Sequence, residues 1–254
     1  MLRRPDELTL PSRRLPVRAR RWPGDDRAAL VVILDPGELP GPHHFESWLR
    51  DLAPQGIEVV RTGALSPRVA ERAERAGYRC IQELTLLEAR APLVAAAPAL
   101  RRTSACRHGR ASDSELPALA AIDRAAFGDL WRLDATMLAD VCDATPAHRA
   151  RVVREEDHRR DHLLARSDPV GFLISGRSGR HGYLQRLAVD PAHQRAGVAT
   201  ALVADALTWM RRWRCERVLV NTHVDNTPAL ELYHRFAFVE LPDRLRVYEG
   251  TVPT

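Results

Sequence analysis

Leu184-Gln185-Arg186-Leu187-Ala188-Val189-Asp190-Pro191-Ala192-His193-Gln194-Arg195-Ala196-Gly197-Val198-Ala199-Thr200 reads as a strand, a tight turn and the first turn of a helix. The apolar run through Val189 stops at Asp190-Pro191, because proline has no N–H to give to a ladder. Small residues follow at the positions of closest approach, Gly197 and Ala199. Val198, Leu202, Ala206, Met210 and Trp213 then recur at helical spacing and mark an inner stripe. The first N–H groups of such a helix lack internal acceptors and lie at the positive end of its dipole. They make a seat for a phosphate or pyrophosphate, and Arg195 adds a charge there. Taken alone, the stretch also reads as a plain packing turn.

Outward from this segment the pattern alternates. Val170–Ile174 and Tyr183–Val189 are expected to be adjacent strands joined by a turn over Ser175–Gly182. Val218–Val220 reads as a strand, Pro228–Phe236 as a short helix and Leu245–Tyr248 as a closing strand. Upstream, Leu116, Leu119, Ile122, Ala126 and Phe127 give a helical period over Ser114–Phe127, with Ser114 or Asp113 as cap. Near the start, Ala28–Leu34 is a buried strand ended by Asp35-Pro36. A helix over Phe45–Leu52 is closed by Gly56, and Ile57–Val60 is the next strand. Ser66-Pro67 opens a second helix that ends at Ala76-Gly77, before a strand over Cys80–Leu87. Arg90–Arg102, with two prolines and little pattern, reads as a linker. The class is α/β or α+β with a mixed sheet.

About 25 residues after the turn stands Asn221-Thr222-His223-Val224-Asp225-Asn226-Thr227-Pro228-Ala229-Leu230-Glu231-Leu232-Tyr233-His234-Arg235-Phe236-Ala237-Phe238. Together the two stretches resemble the GNAT superfamily of N-acetyltransferases. The likeness rests on Q-x-x-G-x-A (Gln194, Gly197, Ala199) after a V-D-P strand end, and on Asn226, Ala229, Leu232, Tyr233 and Phe238 in the second stretch. It covers roughly Thr103 to Gly250. It implies a fold with a mixed, mostly antiparallel sheet splayed at the site of acetyl-CoA, the donor substrate, and no metal.

What the resemblance implies can be placed residue by residue. The strand around Leu187, Ala188 and Val189 would pair with the pantetheine arm, and Gln194 belongs to the loop signature. The amides of Arg195, Ala196, Gly197, Val198, Ala199 and Thr200 would hold the pyrophosphate. Asn226 would bond to the CoA arm, and Tyr233 would protonate the departing thiolate. The chemistry is coherent: amine attack on a thioester needs aligned reactants, a polarised carbonyl and a proton for sulfur. Packing alternatives stand beside these roles, a core aromatic for Tyr233 and a helix cap for Asn226. Ala237 stands where the family often has glycine, a mild change.

The general base is not evident. Family enzymes often carry a carboxylate on the splayed strand, but Tyr183-Leu184-Gln185-Arg186 holds none. His181 and His223 are the remaining weak candidates. Phe127, Trp131 and Asp134 fall where family members shape the acceptor pocket.

The first part of the chain looks like a damaged copy of the second. Val31–Pro36 parallels Arg186–Pro191 at an offset of 155, and Thr62–Tyr78 parallels Thr222–Phe238 at an offset of 160. At those offsets Leu39-Pro40-Gly41-Pro42-His43-His44 replaces the phosphate loop, Ser66 replaces Asn226 and Ala73 replaces Tyr233. Two prolines remove N–H donors, so this unit is expected not to bind acetyl-CoA productively. The expected organisation is therefore a degenerate half-unit over 1–90, a linker over 91–102 and a transferase domain over 103–254.

Composition bounds the remaining classes. All 38 basic residues are arginine, against 33 acidic ones, for a net charge of +5 over 254 residues. Without lysine, Schiff-base chemistry on a side-chain amine is excluded. The arginine-rich stretches Arg13–Arg21 and Arg211–Arg217 are too modest to imply nucleic acid. Cys80, Cys106, Cys142 and Cys215 are scattered, so no zinc cluster or disulfide framework is expected and a reducing cytoplasm fits. No apolar run approaches a membrane span of about 20 residues, and Met1–Arg21, rich in Arg and Pro and without an apolar stretch, is not expected to be a secretory signal. The leading reading is an N-acetyltransferase acting on a primary amine, either a protein N-terminus or peptide or a small molecule. A non-catalytic acyl-CoA-binding sensor is the alternative, and a homodimer is a candidate assembly.

Overall fold

The computed structural model describes residues 7–11, 15–34, 39–94, 106–155 and 168–252. In chain order the elements begin β1 (Glu7–Leu8), β2 (Val17–Trp22), β3 (Asp25–Ile33), α1 (Pro42–Leu52), β4 (Val59–Thr62), α2 (Pro67–Arg75) and β5 (Arg79–Arg90). They continue β6 (Cys106–Arg110), α3 (Leu116–Trp131), α4 (Ala135–Asp143), β7 (Ala147–Glu155), β8 (Pro169–Ser178) and β9 (His181–Val189). The last are α5 (Val198–Arg212), β10 (Arg217–His223), α6 (Thr227–Arg235) and β11 (Val239–Thr251). No helix among the described residues is long and apolar enough to cross a membrane.

Two compact units result. One comprises Met1–Leu86, Asn221–Asp225 and Leu241–Thr254; the other comprises Leu87–Val220 and Asn226–Glu240. Chain order and compactness therefore differ. The C-terminal strand, read from sequence as closing the second domain, lies in the first unit. Conversely, Leu87, Ala89 and Leu93 join the core of the second unit with Val198, Leu202 and Val218. Residues 95–102 of the expected linker lie outside the described residues.

In the first unit the strand order is β1-β2-β3-β4-β11-β5. β2 and β3 pair antiparallel, Val17 opposite Ile33, and β3 and β4 run parallel from Ala28 opposite Val59 to Val31 opposite Thr62. β11 lies antiparallel to β4, with Glu249 opposite Arg61. β2 carries no apolar run that marks a strand, since Arg18, Arg20 and Arg21 interrupt it; Ala19 and Trp22 are buried there, and the Arg61 guanidinium stacks 5.0 Å above the Trp22 ring. α1 and α2 bury Phe45, Trp48, Leu52, Val69 and Ala73 with Tyr78 and Tyr248. The Tyr78 hydroxyl donates to the Phe45 carbonyl at 3.0 Å, and the Tyr248 hydroxyl to Glu74 Oε1 at 2.5 Å.

The second unit orders β10-β9-β8-β7-β6, antiparallel except for the parallel pair β9 and β10. Its sheet is covered on two sides. α5 and α6 bury Val198, Leu202, Ala206, Met210, Leu232 and Phe236 in one cluster, while α3 and α4 bury Leu119, Ile122 and Leu138 against Phe172, Ile174 and Ala188 in another. Three local expectations are corrected. Trp213 is not part of the α5 stripe and is 53% exposed, since the helix has ended at Arg212. The β8–β9 turn is only Gly179-Arg180, because both strands extend further than their apolar cores. Ser112, not Ser114 or Asp113, caps the entry to α3, its hydroxyl and amide both bonding Glu115 Oε2.

Burial raises the phenol pKa of Tyr78 and Tyr233, and burial with the Glu74 carboxylate raises that of Tyr248. A pKa raised by folding gives stability that is complete below the unfolded tyrosine value of about 10 and is lost as pH rises past it. Alkaline titration is thus expected to ionise these three tyrosines together with loss of ellipticity. Three phenolates forming while the ellipticity is still native contradict this.

Candidate active site

The site grows from an irregularity in β9. Ile174 faces Arg186 and Ser175 faces Leu184, which leaves Gln185 as an extra, bulged residue. Beyond that point β9 loses its parallel neighbour: Arg217–Leu219 of β10 pair only with His181–Tyr183. Leu184–Val189 keep β8 on one side and present an open edge on the other, the geometry that accepts an added extended chain. The first unit lacks this splay. There β3 and β4 stay paired to Val31–Thr62, and the Gly63 amide continues the ladder to the Val31 carbonyl at 2.9 Å.

Past Val189 the chain turns tightly. Asp190 Oδ1 accepts from the Ala192 amide at 2.8 Å, fixing the strand end. Arg195 and Gly197 both take left-handed backbone angles, φ +64° and +84°, and Gly197 caps α5. Glycine carries that φ without a Cβ penalty, which is why it stands at the cap. The amides of Val198, Ala199 and Thr200 then open a 15-residue helix whose first turn holds no acid.

These elements enclose a cleft of about 390 Å³. Leu187, Ala188 and Val189 form one side, the loop and α5 residues His193, Gln194, Arg195, Gly197, Val198, Ala199 and Thr200 the floor. Asn226, Pro228, Ala229, Leu232 and Arg235 of α6 form the other side, and Ala126 and Phe127 of α3 close it. No carboxylate lines it. Arg195 and Arg235 are exposed and have no ion-pair partner among the described residues, so the field inside favours an anion.

Ten of the residues singled out from sequence therefore meet in one place. Ala196 and Tyr233 do not line the cleft. Tyr233 is buried, its ring 5.7 Å from that of Phe238, but it lies one helical turn beyond Ala229 and so shares the α6 face that borders the cleft. Burial pushes its phenol upward, and the hydroxyl stays protonated at neutral pH. Asn226 serves as a cap, its Oδ1 accepting from the Ala229 amide at 3.3 Å.

The weak base candidates are not gathered there. His181 sits at the opposite end of β9, on the part still paired to β10. His223 belongs to the first unit, its Nδ1 accepting from the Asp225 amide at 3.1 Å. Asp134 caps α4 through the Met137 amide at 2.8 Å. Among the described residues no group of three or more His, Cys, Asp or Glu is arranged for a metal.

Sequence reasoning missed two features. Ala229, Leu232 and Arg235 follow one another every three residues, a signal that would have added Arg235 to the cleft. The other is a buried ion pair. Asp123, fully buried on α3, receives Arg186 Nε at 2.6 Å and Nη2 at 2.8 Å, and its Oδ1 also accepts from the Leu133 amide at 2.6 Å. Arg186 Nη2 further donates to the Trp131 carbonyl at 2.7 Å. In sequence Arg186 reads only as a position of β9 without an acid; its partner, ten residues before Leu133, is visible only in three dimensions.

The corresponding corner of the first unit is filled. α1 starts at Pro42 as α5 starts at Val198, one position beyond the offset expected from the strands, so Gly41 stands where Gly197 does. Pro42 has no N–H, and the Gly41 amide is spent on His44 Nδ1 at 2.9 Å. Arg72, at the place of Leu232 in the repeat, donates to the carbonyls of Leu39 at 3.2 Å and Pro40 at 3.0 Å.

Residues 125–238 match the model of the acetyltransferase (GNAT) family. The chain carries a GNAT domain. The match includes β9, the α5 loop and α6, the elements that build the cleft. Over 67 residues, 26% of this chain and 38% of the relative, the chain is 34% identical to N-alpha-acetyltransferase 30 of Saccharomyces cerevisiae. Over 84 residues, 33% of this chain and 58% of the relative, it is 27% identical to aminoglycoside N(6')-acetyltransferase type 1 of Acinetobacter haemolyticus. The chain thus spans less than two thirds of the length of these curated relatives. In fold it is similar to a tandem GNAT protein from the clavulanic acid biosynthesis pathway, with TM-score 0.61 over 94% of this chain and 79% of that one at 14% identity. The likeness in fold runs beyond the GNAT domain into the first unit.

Proposed function

We propose that the GNAT domain is an acetyl-CoA-dependent N-acetyltransferase whose acceptor is a primary amine, taken by direct attack in a ternary complex. The observation that carries this reading is the open β9 edge running into an acid-free, arginine-lined cleft at the start of α5. Those residues suit acetyl-CoA, which has an extended amide-bearing arm and a polyanionic end. The open edge at Leu187–Val189 would take the arm as an added strand, and the α5 amides with Arg195 and Arg235 would hold the phosphates. When bound, acetyl-CoA supplies an activated thioester carbonyl.

In the step itself an amine C–N bond forms and the thioester C–S bond breaks. Tyr233, on the α6 face that borders the cleft, is the group assigned to protonate the leaving sulfur, and its phenolate takes back the proton that the ammonium releases. The ammonium proton is assigned to water, through which it reaches the phenolate. Asn226, already fixed by its cap bond, holds the arm beside α6. The stretch similar to an N-alpha-acetyltransferase supports a peptide or protein N-terminus as acceptor, and the aminoglycoside acetyltransferase relative supports a small amine. The first unit, with its loop amide and Arg72 spent internally, is read as non-binding.

Calorimetric titration of the full chain with acetyl-CoA, followed by thiol release with peptide and small-amine acceptors, tests the reading. Binding at one site is expected, weakening as salt rises and at least about tenfold weaker in the Arg195→Ala/Arg235→Ala variant. The missing carboxylate favours the second reading, a CoA sensor: binding of that kind without thiol release from any acceptor supports it. The chain has no lysine, so acyl transfer onto a side-chain amine of the protein itself adds nothing to the background.

A further inference from the structure

Phe127 is held in an unusual way for a residue that lines a cleft. It is the last residue before a break in α3, where Gly128 takes φ +71° and ψ −179°. The Arg186 guanidinium lies 3.6 Å from the centre of its ring. That guanidinium is itself fixed by both carboxylate oxygens of Asp123 and by the Trp131 carbonyl. A planar cation pinned by three hydrogen bonds restrains the ring stacked on its face, so Phe127 forms a stiff wall.

The position of that wall along the cleft matters. The phosphate-holding amides lie at one end, and β9 leads from Val189 back through Leu187 to Arg186 at the other. An arm laid along the open edge with its phosphates at α5 brings its acyl end beside Arg186, where Ala126 and Phe127 close the space. We propose that Phe127, braced by the Asp123–Arg186 pair, sets the length of acyl chain the site accepts, admitting acetyl and excluding longer straight chains. Phe127 is the specificity-determining residue, and Arg186 is a positioning residue. The inference rests on the transferase reading given above.

The test compares acetyl-, propionyl- and butyryl-CoA in the wild type, Phe127→Ala and Arg186→Lys full-length proteins. Thermal melts first establish that each variant is folded. In wild type, kcat/KM is expected to fall about tenfold or more from acetyl to butyryl. Phe127→Ala is expected to move the butyryl-to-acetyl ratio upward by about tenfold or more, and Arg186→Lys, which keeps the charge but not the planar fork, to move it part-way. A merely structural role lowers all three substrates alike and leaves the ratio unchanged, which overturns the proposal. If no acyl-CoA releases thiol, the transferase reading fails. The acyl-size inference is then decided by calorimetry: tighter binding of acetyl- than butyryl-CoA, erased in Phe127→Ala, supports it, and equal affinities in wild type overturn it.

Discussion

Asp123→Ala is expected to destabilise the GNAT domain by roughly 3–5 kcal/mol, the usual cost of removing one partner of a buried ion pair. Asp123 is fully buried and takes three hydrogen bonds, two from Arg186 and one from the Leu133 amide. Its removal leaves the Arg186 charge facing apolar surroundings and the Leu133 amide without its acceptor. The lost bonds also tie α3 to β9 and to the chain entering α4, so the effect is spread over three elements. Urea unfolding of the full chain is the measurement. A second variant separates loss of the charge pair from loss of packing. Asp123→Ala/Arg186→Met is expected to recover a large part of the loss, because no uncompensated charge remains. A single variant as stable as wild type, or a double variant worse than the single, contradicts the account.

Tyr233→Phe is expected to lower thiol release by about a hundredfold or more while acetyl-CoA binding changes little. The hydroxyl is the only group the substitution removes, and the ring keeps its contact with Phe238. Because burial raises the phenol pKa, the donor remains protonated through the whole neutral and mildly alkaline range. Ionisation of this residue therefore adds no alkaline fall in rate below about pH 10. Single-turnover thiol release measured beside calorimetric binding distinguishes the outcomes. Equal loss of binding and turnover assigns Tyr233 to the core alone, and unchanged turnover removes it from the chemistry.

Much of this was legible in the primary structure, and the reason is range. The β9 strand end, the Gly197 cap and the α5 stripe are set by interactions within about one helical turn, so proline, glycine and apolar period report them directly. The cap at Asn226 and the nine-residue helix after it are equally local, and so is the matching helix Pro67–Arg75, where Ser66 holds the N-cap position without a side-chain bond. β2 and β7 escaped because arginine occupies positions that lie along a sheet, where its long aliphatic stem is half-buried and the alternation is blurred. α4 escaped because it follows α3 after only a short connection.

Tertiary structure alone decided the rest. β5 and β11 follow matching helices and carry similar patterns, and nothing within either strand names its partner. Pairing over 188 residues, as between Arg61 and Glu249, is chosen by which edge is free when the sheet forms. That choice puts Leu241–Thr254 in the first unit and Leu87–Leu93 in the core of the second. Asp123 is the same lesson at one residue. In sequence it is a polar position on an amphipathic helix; in the fold it is the buried anchor of Arg186, because only the arrival of β9 beneath α3 supplies a cation to hold it there. The sequence by itself determined the strand end, the Gly197 cap and the acid-free start of α5, which lie on one continuous segment. The closing of the cleft by Phe127 depends on contacts between segments some 60 residues apart, which no local pattern encodes.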